Sequence, residues 1–155
     1  MRVIIGADHG GFEMKEKAKV WLGEMMGLQG QSLQVVDVGS ERLDPDDDYV
    51  DYAMKAVLEM KEDDRLVLFC RNGMGMAITA NKRKGVRCGL GFGLEAVRKG
   101  RTDDDINALA IPADYSTDEV VKEMVKIFLT TEFSKTERYK NRLEKLGKLE
   151  AIWSQ

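Results

Sequence analysis

The stretch RLVLFCRNGMGMAITANKRKG (Arg65–Gly85) decides the fold. It begins with a short, continuous apolar run, which predicts a buried strand over Arg65–Cys70. Two glycines follow, Gly73 and Gly75, and a helical pattern then runs from about Gly75 to Lys82. A strand, a glycine-rich turn and a helix in this order predict one βα unit of a parallel sheet.

The same alternation of strand and helix patterns continues along the sequence. Besides Arg65–Cys70, the predicted strands are Arg2–Ala7, Leu33–Ser40, Val86–Phe92 and Ile106–Pro112. The predicted helices cover residues 11–26, 49–62, 75–82, 93–101, 116–133 and 134–153. Strands that alternate with helices form parallel sheets that are covered on both faces. We therefore predict an α/β fold with a five-stranded parallel sheet, in a single domain over residues 1–155.

Composition and charge narrow the class of protein. With 43% hydrophobic and 33% charged residues among 155, the sequence is typical of a soluble globular protein. Its net charge of −3 shows no basic excess, which argues against a nucleic-acid partner. The apolar runs are far shorter than the roughly 20 residues that span a bilayer, and the apolar stretch at the N-terminus is too short for a signal peptide. We predict a cytoplasmic protein with no membrane partner.

The cysteines and the single histidine do not form a metal-binding pattern. Cys70 and Cys88 lack the spacing of zinc ligands, and His9 is the only histidine. The glycines after the first strand do not follow the GxGxxG pattern of dinucleotide-binding proteins. The acidic run DPDDD lacks the spacing of an EF-hand. We predict no metal and no cofactor, and we interpret the acidic run as a solvated loop that carries Tyr49 to the site.

Cys70 is the first candidate for chemistry. In open parallel sheets ligands bind outside the carboxyl ends of the strands, where Cys70 is predicted to lie. The helix that begins near Gly75 would direct its positive end at the thiol and favour a thiolate, which can act as a general base. Backbone N–H groups around Gly73 and Gly75 could hold a developing oxyanion. On the residues alone, a small buried thiol that ends a strand is the commoner interpretation, and we keep it for Cys88.

Two further stretches contain candidate ligand-binding residues. In GADHGG, Asp8 and His9 follow the first predicted strand, and the glycines would let backbone N–H groups approach an anion. A tight turn without a ligand is the alternative. In ERYKNR, Arg138 and Arg142 lie on one helix face and could bind a phosphate together. The alternative there is a solvated surface on which the arginines pair with neighbouring glutamates.

These motifs together resemble the type B ribose-5-phosphate isomerases and the galactose-6-phosphate isomerase subunits. The matching stretches are IIGADHGGFEMKEKAKVWL, VVDVGS, DYVDYA, GMGMAITANKRKGVRCGL and DDDINALAIPAD, and they reach about residue 114. The resemblance implies a Rossmann-like three-layer sandwich and a homodimer, sometimes a tetramer. In such a dimer a protruding C-terminal helix, over about residues 134–153, packs on the partner subunit. The resemblance also implies sites at the dimer interface and a metal-independent aldose–ketose isomerisation of a sugar phosphate.

The resemblance assigns roles to individual residues. It implies that Cys70 is the base that moves a proton between C1 and C2 through a cis-enediolate. The glycines after it belong to the loop that holds the enediolate oxygens, and Asn72 in that loop is a further catalytic candidate. The residues implied to bind substrate are Asp8, His9, Tyr49, Arg71, Gly73, Met74, Gly75, Asn81, Asp104, Arg138 and Arg142. The match of the two arginines in the last helix requires a one-residue insertion.

Three departures from the family pattern affect how a substrate would be handled. The family's CGTG reads CRNG here, which introduces Arg71 and Asn72. Asp103 stands where the family has a histidine that is credited with opening the furanose ring, and Asp104 stands where it has an asparagine. Asp103 could replace that histidine as an acid–base group only if its pKa were raised or the substrate were different. Asp114 stands at the position of a phosphate-binding arginine, where a carboxylate would repel a phosphate.

Two functions follow from these observations. The first is an isomerase of ribose 5-phosphate and ribulose 5-phosphate, or of a related pentose or hexose phosphate, with Cys70 and Asp103 as catalytic residues. The second is a non-catalytic sugar-phosphate-binding protein, or a partner subunit of a hetero-oligomeric isomerase. The departures at Asp103 and Asp114 motivate the second function. Another enediolate reaction, such as epimerisation, is a weaker third option.

Overall fold

In the computed structural model, which describes residues 1–28 and 33–153, five parallel strands form one sheet. The strands are β1 (Arg2–Ala7), β2 (Gln34–Asp37), β3 (Arg65–Cys70), β4 (Cys88–Leu90) and β5 (Ala108–Pro112), in the order β2-β1-β3-β5-β4. The α-helices are α1 (Phe12–Leu28), α2 (Tyr49–Glu59), α3 (Met74–Ala80), α4 (Leu94–Asp104), α5 (Asp118–Thr130) and α6 (Glu137–Trp153), and a short 3-10 helix covers Ala113–Tyr115. Each of the first four helices connects one strand to the next, which makes the strand pairs parallel.

Helices cover both faces of the sheet, which confirms the predicted three-layer α/β fold. The side chains of β3 show how the layers are built. Val67 and Phe69 pack in the core with α1, α4 and α5. Leu66, Leu68 and Cys70 pack in the core with α2 and α3. Because successive side chains of a strand point to opposite faces, the thiol of Cys70 is directed toward α2 and α3.

Among the strands, β2, β4 and β5 are shorter than predicted, and β5 begins at Ala108 instead of Ile106; the helix bounds differ from the predicted ones by up to three residues at each end. β2 ends at Asp37 because its carboxylate accepts a hydrogen bond from the N–H of Gly39 (3.0 Å), which turns the chain. β4 begins later than predicted because the N–H of Val86 closes a turn with the carbonyl of Arg83. α4 continues past its predicted end to Asp104. The acidic residues near position 104 therefore lie in the last turn of a helix.

A buried lysine ties α1 to β2 and to the loop that follows it. Lys15 is fully buried, and its Nζ donates to Asp37 Oδ2 (2.7 Å) and to the carbonyl of Ser40 (3.0 Å). The same ammonium lies 2.8 Å from a carboxylate oxygen of Glu16. Burial alone would raise the pKa of Asp37, but hydrogen bonds from Lys15 and Lys19 outweigh it and lower that pKa. The start of the loop after β2 is thereby held against α1.

The C-terminal helix α6 is largely exposed and packs against α4. Glu150, near its end, accepts a hydrogen bond from the N–H of Gly85 at 3.0 Å. Apolar side chains on its surface, Leu146, Leu149 and Ile152, are exposed. That this helix packs on a partner subunit, and that residues 1–155 form a single domain, stay predictions. None of the helices in the described ranges combines the length and the apolarity needed to cross a membrane.

Candidate active site

The turns after β1 and β3 lie side by side at the carboxyl edge of the sheet. β1 and β3 are neighbours, with Ala7 paired to Phe69, so the residues after each strand stand next to each other. Two glycines allow close contact: a Cβ on Gly11 would lie 2.4 Å from the backbone carbonyl of Phe69, and one on Gly10 would lie 2.4 Å from Cγ of Arg71. The structure thus brings together the predicted residues of both turns: Asp8, His9, Cys70, Arg71, Asn72, Gly73, Met74 and Gly75.

The thiol of Cys70 accepts a backbone hydrogen bond at this edge. Its Sγ lies 3.2 Å from the N–H nitrogen of Gly73, and the residue is only 4% exposed. Gly73 has a φ of +74°, in the left-handed region that favours glycine. A Cβ at position 73 would also lie 2.5 Å from Leu90 Cδ1. The turn therefore requires glycine and provides a donor that the thiolate form of Cys70 can use.

The loop after Cys70 is closed by contacts with two side chains. Asn72 Oδ1 accepts a hydrogen bond from the N–H of Met74 (3.0 Å), so this oxygen of the predicted catalytic residue is occupied within the turn. Gly75 faces the ring of Tyr49, because a Cβ on Gly75 would lie 2.6 Å from it. Tyr49, at the start of α2, thus lies beside the loop that follows Cys70. The N–H groups of the first turn of α3 have no partner within the helix.

Asp8 is buried at the same edge. Its Oδ1 accepts a hydrogen bond from the N–H of Gly11 (3.0 Å), and the residue is 6% exposed. Burial raises the pKa of Asp8 above its ordinary value, although the Gly11 hydrogen bond and the charge of His9 act in the opposite direction. The carboxyl group is therefore easier to protonate here than in an exposed aspartate.

His9 is held by a carboxylate that the sequence analysis did not identify. Asp47 Oδ1 lies 2.8 Å from Nδ1 of His9 and also accepts the backbone N–H of His9 at 2.8 Å. The side chain of Asp47 is only 7% exposed, whereas Asp46 and Asp48 are exposed. The interpretation of the acidic run as a solvated loop is therefore wrong for Asp47. The two residues are 38 positions apart, and no local pattern signals their contact.

Arg71 lies against Asp114. Its Nη1 is 3.5 Å from Asp114 Oδ2, and the N–H of Asp114 donates to the carbonyl of Arg71 at 2.9 Å. The stem of Arg71 lies over Gly10, and its side chain is 64% exposed. Position 114, which holds an arginine in the family pattern, therefore has a guanidinium beside it that comes from position 71.

The other predicted site residues lie at the opposite, amino edge of the sheet. α3 and α4 run antiparallel to the strands that they connect, so their last residues are at this edge. α6 lies here as well, because Tyr139 and Arg142 act on the carboxylate of Asp103 at the end of α4. The predicted residues of one chain thus form two groups. The amino-edge group consists of Asn81, Asp103, Asp104, Arg138 and Arg142.

The side chain of Asn81 is committed to the fold within one chain. Its Nδ2 donates to the carbonyls of Ala77 and Cys88, both at 2.9 Å. Its Oδ1 accepts from the N–H of Cys88 at 2.8 Å. Both amide protons are used, so Asn81 ties the end of α3 to β4, and a substrate could use one of them only if a hydrogen bond broke.

Asp103 is an ionised carboxylate in the single chain. The hydroxyl of Thr102 donates to its Oδ1 at 2.7 Å, and this bond is the largest cause of its lowered pKa. Lys99, Tyr139 and Arg142 act in the same direction. The sequence analysis required a raised pKa if Asp103 were to replace a histidine as an acid–base group. Because the shift has the opposite sign, Asp103 can accept a proton or a hydrogen bond at neutral pH but has no proton to give.

The second cysteine, Cys88, lies within β4. Burial raises the pKa of the Cys88 thiol to about 12, which fits the structural role predicted for it.

Two cavities, of about 580 and 480 Å³, lie at the amino edge, away from Cys70. Neither of these two cavities is lined by Cys70. In residues 1–28 and 33–153, no three His, Cys, Asp or Glu side chains come together as a metal site.

Sequence similarity to other proteins extends over nearly the whole chain. Residues 3–146 match the sequence model of the family described as Ribose/Galactose Isomerase. The chain is 31% identical over 152 residues to ribose-5-phosphate isomerase B of Mycolicibacterium paratuberculosis, across 97% of this chain and 92% of that protein. It is 32% identical over 160 residues to the 4-deoxy-4-sulfo-D-erythrose isomerase of a Clostridium species, across 97% and 96% of the two chains.

The fold agrees with these relationships. The crystal structure of ribose-5-phosphate isomerase B from Mycoplasma genitalium with bound ribulose 5-phosphate matches with a TM-score of 0.87 at 29% identity. The match covers 97% of this chain and 96% of that one. On sequence and on structure, the chain belongs to the ribose/galactose isomerase family.

Proposed function

We propose that the protein is an aldose–ketose isomerase that acts on a sugar with a terminal anionic group, with Cys70 as the base. Its family supports the reaction class, because the relatives named above are isomerases of ribose 5-phosphate and of a sulfonated tetrose. The observation that carries the proposal is the position of Cys70. Its sulfur accepts the N–H of Gly73 at the same edge of the sheet where Asp8 and His9 lie.

The proposed reaction needs a base and a place for negative charge, but no oxidant. The thiolate of Cys70 takes the proton from C2 of the open-chain aldose. The electron pair of that C–H bond forms the C1–C2 double bond, and the carbonyl pair moves to O1, which gives a cis-enediolate. The proton then returns to C1. O2 loses its hydroxyl proton and becomes the carbonyl oxygen at C2, while O1 gains a proton and becomes a hydroxyl. N–H groups of the first turn of α3 stabilise the intermediate charge.

A second copy of the chain is proposed to complete the site. The two groups of candidate residues lie at opposite edges of one sheet, whereas a two-fold pairing places each group of one copy against the other group of its partner. An apolar surface on α2 and α3 is available for such pairing. This α2–α3 patch consists of Val50, Met54, Leu58, Met74 and Ile78, which are all exposed in the single chain. We therefore propose a homodimer, with a tetramer formed by two such dimers as the alternative. The cytoplasmic location stays a prediction.

Arg71 is proposed to bind the anionic end of the substrate. It stands beside Asp114, where the family pattern has an arginine, and its guanidinium has five N–H donors. The contact with Asp114 is long, at 3.5 Å, and leaves most of these donors available. The charge of Asp114 is offset by the same contact, which reduces its repulsion of an anion. The partner subunit's Arg138 and Arg142 would supply the remaining positive charge.

A sugar phosphate is the first candidate substrate, and a sugar that cannot close a furanose ring is the second. The observation that favours the second is Asp103, which replaces the ring-opening histidine of the family pattern and is ionised. A tetrose whose C4 carries a phosphate or a sulfonate has no free 4-hydroxyl with which to form a furanose. Such a substrate would not need a ring-opening acid. The Clostridium relative is named for a sugar of this kind.

The proposal is tested by solvent deuterium exchange, followed by NMR, on ribose 5-phosphate, hexose 6-phosphates, erythrose 4-phosphate and 4-deoxy-4-sulfo-erythrose. We expect the wild type to isomerise at least one of them with exchange at the transferred carbon. Cys70→Ala should lower the exchange rate by about a hundredfold or more, while binding is retained. The matched control, Cys88→Ser, should keep wild-type exchange because that thiol is protonated and lies in β4.

The outcomes separate the alternatives. Full activity in Cys70→Ala would remove Cys70 as the base. Binding of these sugars without exchange in the wild type would favour the non-catalytic protein or a subunit that needs a second chain. Preference for ribose 5-phosphate over both tetroses would contradict the open-chain candidate.

A further inference from the structure

We propose that Asp47 is a positioning residue that holds the imidazole of His9 with a proton on Nδ1 and turns Nε2 toward the anionic end of the substrate. This inference rests on the proposed function for the identity of the ligand, but the state of His9 can be observed without any ligand. Asp47 lies outside the sequence motifs that identified the family. It acts through His9 and is not expected to touch the reacting carbons.

The geometry determines which nitrogen carries the proton. Oδ1 of Asp47 lies 2.8 Å from Nδ1 of His9 and 2.8 Å from the backbone nitrogen of the same residue. An ionised carboxylate only accepts hydrogen bonds, so Nδ1 must be the donor in this contact. The nitrogen that makes such a bond sets the tautomer of the ring. Nε2, on the far side of the ring, is then directed away from Asp47.

Burial makes the contact difficult to exchange for one with water. The Asp47 side chain is 7% exposed, and its Oδ2 is buried without a hydrogen-bond partner in the described part of the chain. The carboxylate therefore depends on the two donors of His9 for its hydrogen bonds. Rotation of the imidazole would leave one of the two bonds to Asp47 unmade in a buried place. The pair is consequently held in one arrangement.

The loop between β2 and α2 is built to deliver Asp47 to this position. Its start is fixed by Lys15, which donates to the carbonyl of Ser40. Closer to Asp47, the N–H of Asp47 closes a turn with the carbonyl of Asp44 at 3.2 Å. The next residue, Asp48, caps α2 by accepting the N–H of Val50 at 2.9 Å. Asp47 thus stands between a closed turn and a capped helix.

Because carboxylates lie next to His9, the orientation of its imidazole affects how strongly an anion can bind there. Asp8 interacts electrostatically with both His9 and Asp47. The carboxylate of either aspartate would repel a phosphate or sulfonate. With Asp47 bonded to Nδ1, the positive form of the ring presents Nε2–H to the ligand, and the carboxylate is screened behind the ring. Without the Asp47 carboxylate, the imidazole of His9 could rotate, and either of its nitrogens could carry the proton. We expect weaker binding of the anionic end and an unchanged proton transfer at Cys70.

The experiment uses the fact that His9 is the only histidine, so the imidazole nitrogens give a single set of NMR signals. The 15N shifts are recorded for the ligand-free protein from about pH 5 to about pH 9, which spans the ordinary histidine titration. In the wild type, the neutral ring should carry its proton on Nδ1. In Asp47→Ala, the proton should move to Nε2 or be shared between the nitrogens. Asp46→Ala, the matched control in the same loop, should leave the wild-type signals unchanged.

Kinetics provides a second readout with the best substrate found above. Asp47→Ala should raise KM by about tenfold, as expected for one hydrogen bond to a charged group, with kcat within about twofold of the wild type. If Asp47→Ala fails to fold, Asp47→Leu, which fills a similar space and has no hydrogen-bond acceptor, should show the same loss of tautomer preference. A wild-type ring with its proton on Nε2, or an unchanged spectrum in the Asp47 variant, would overturn the inference. That result would leave the isomerase proposal intact, and a lack of turnover on every sugar would leave the NMR result intact.

Discussion

Gly73 and Gly85 both have positive φ values, +74° and +81°, but their surroundings differ. A Cβ on Gly73 would lie 2.5 Å from Leu90 Cδ1 and 3.1 Å from the backbone nitrogen of Pro112. A Cβ on Gly85 would meet no atom within 4 Å. Substituting each glycine by alanine therefore separates two losses of stability: one from a left-handed backbone with a side chain, and one from crowding beside the sulfur of Cys70.

We predict that Gly85→Ala lowers the free energy of unfolding by about 1 kcal/mol, the cost of a left-handed residue with a Cβ. Gly73→Ala should lower it by about 3 kcal/mol, because the crowding adds to the same backbone cost. Urea denaturation of both variants measures the difference. Equal losses for the two would show that the turn after β3 has room for a side chain and that its glycine is not required.

At the scale of residues, the sequence predicted the positions whose signal is local. Cys70 and Asp8 were identified because Cys70 ends one apolar run and Asp8 follows another, each just before a glycine-containing turn. Asp47 was missed because its contact with His9 depends on the course of a loop 38 residues away. The sign of the pKa shift at Asp103 was equally inaccessible, since it depends on which side chains of α6 lie beside α4.

At the scale of elements, Lys15 links α1 to the sheet and to the loop that carries Asp47. Its ammonium is fully buried, whereas Lys19, one turn further along α1, bonds the same carboxylate of Asp37 from a half-exposed position. The two lysines share partners and differ in burial. Breaking a buried ion pair leaves a charge unpaired in a dry place, but an exposed pair is replaced by water.

We predict that Lys15→Met lowers the free energy of unfolding by about 3 kcal/mol, because it leaves Asp37 and the carbonyl of Ser40 without their buried donor. Lys19→Met, the matched control, should cost less than about 1 kcal/mol. Thermal or urea unfolding compares them. A Lys15 variant as stable as the control would mean that the loop after β2 does not depend on this ammonium.

The elements themselves were predicted to different degrees. β3 has its predicted bounds, Arg65–Cys70, since a continuous apolar run is flanked by charged residues on both sides. β2 is shorter than predicted because a hydrogen-bonded turn follows Asp37, and β4 is shorter because a hydrogen-bonded turn precedes it. Such bonds leave no mark in hydrophobic periodicity.

At the scale of the whole molecule, the candidate site is divided between two edges of the sheet. Alternating strands and helices were enough to predict the layers and the carboxyl edge as the place for ligands. The division itself follows from the direction of α3 and α4, which places Asn81 and Asp103 far from Cys70 in the same chain. The proposed completion of the site by a second copy would therefore be a property of the assembly.

We predict that two inactive variants restore activity when their chains are mixed, provided that they carry changes in different groups. Cys70→Ala and Arg142→Ala chains, unfolded and refolded together in equal amounts, should give about a quarter of the wild-type activity, because half of the pairs are mixed and each has one intact site. Sedimentation of the mixture checks that the chains pair.

The control mixes two inactive variants of the same residue, Cys70→Ala and Cys70→Ser. Every mixed pair then has a defect in both sites, so no activity should return. Recovery in this control, or none in the first mixture, would contradict the proposed sharing of sites between chains.

In the proposed dimer, the separation of Cys70 from Arg142 within one chain also has a consequence for evolution. After gene duplication, one copy can lose the thiol and the other can lose the arginine, and each loss is masked as long as the two products assemble with each other. Divergence of this kind converts a self-sufficient chain into an obligate pair without any moment at which activity is lost. The architecture of the sheet thus makes the passage from one gene to two interdependent genes a short one.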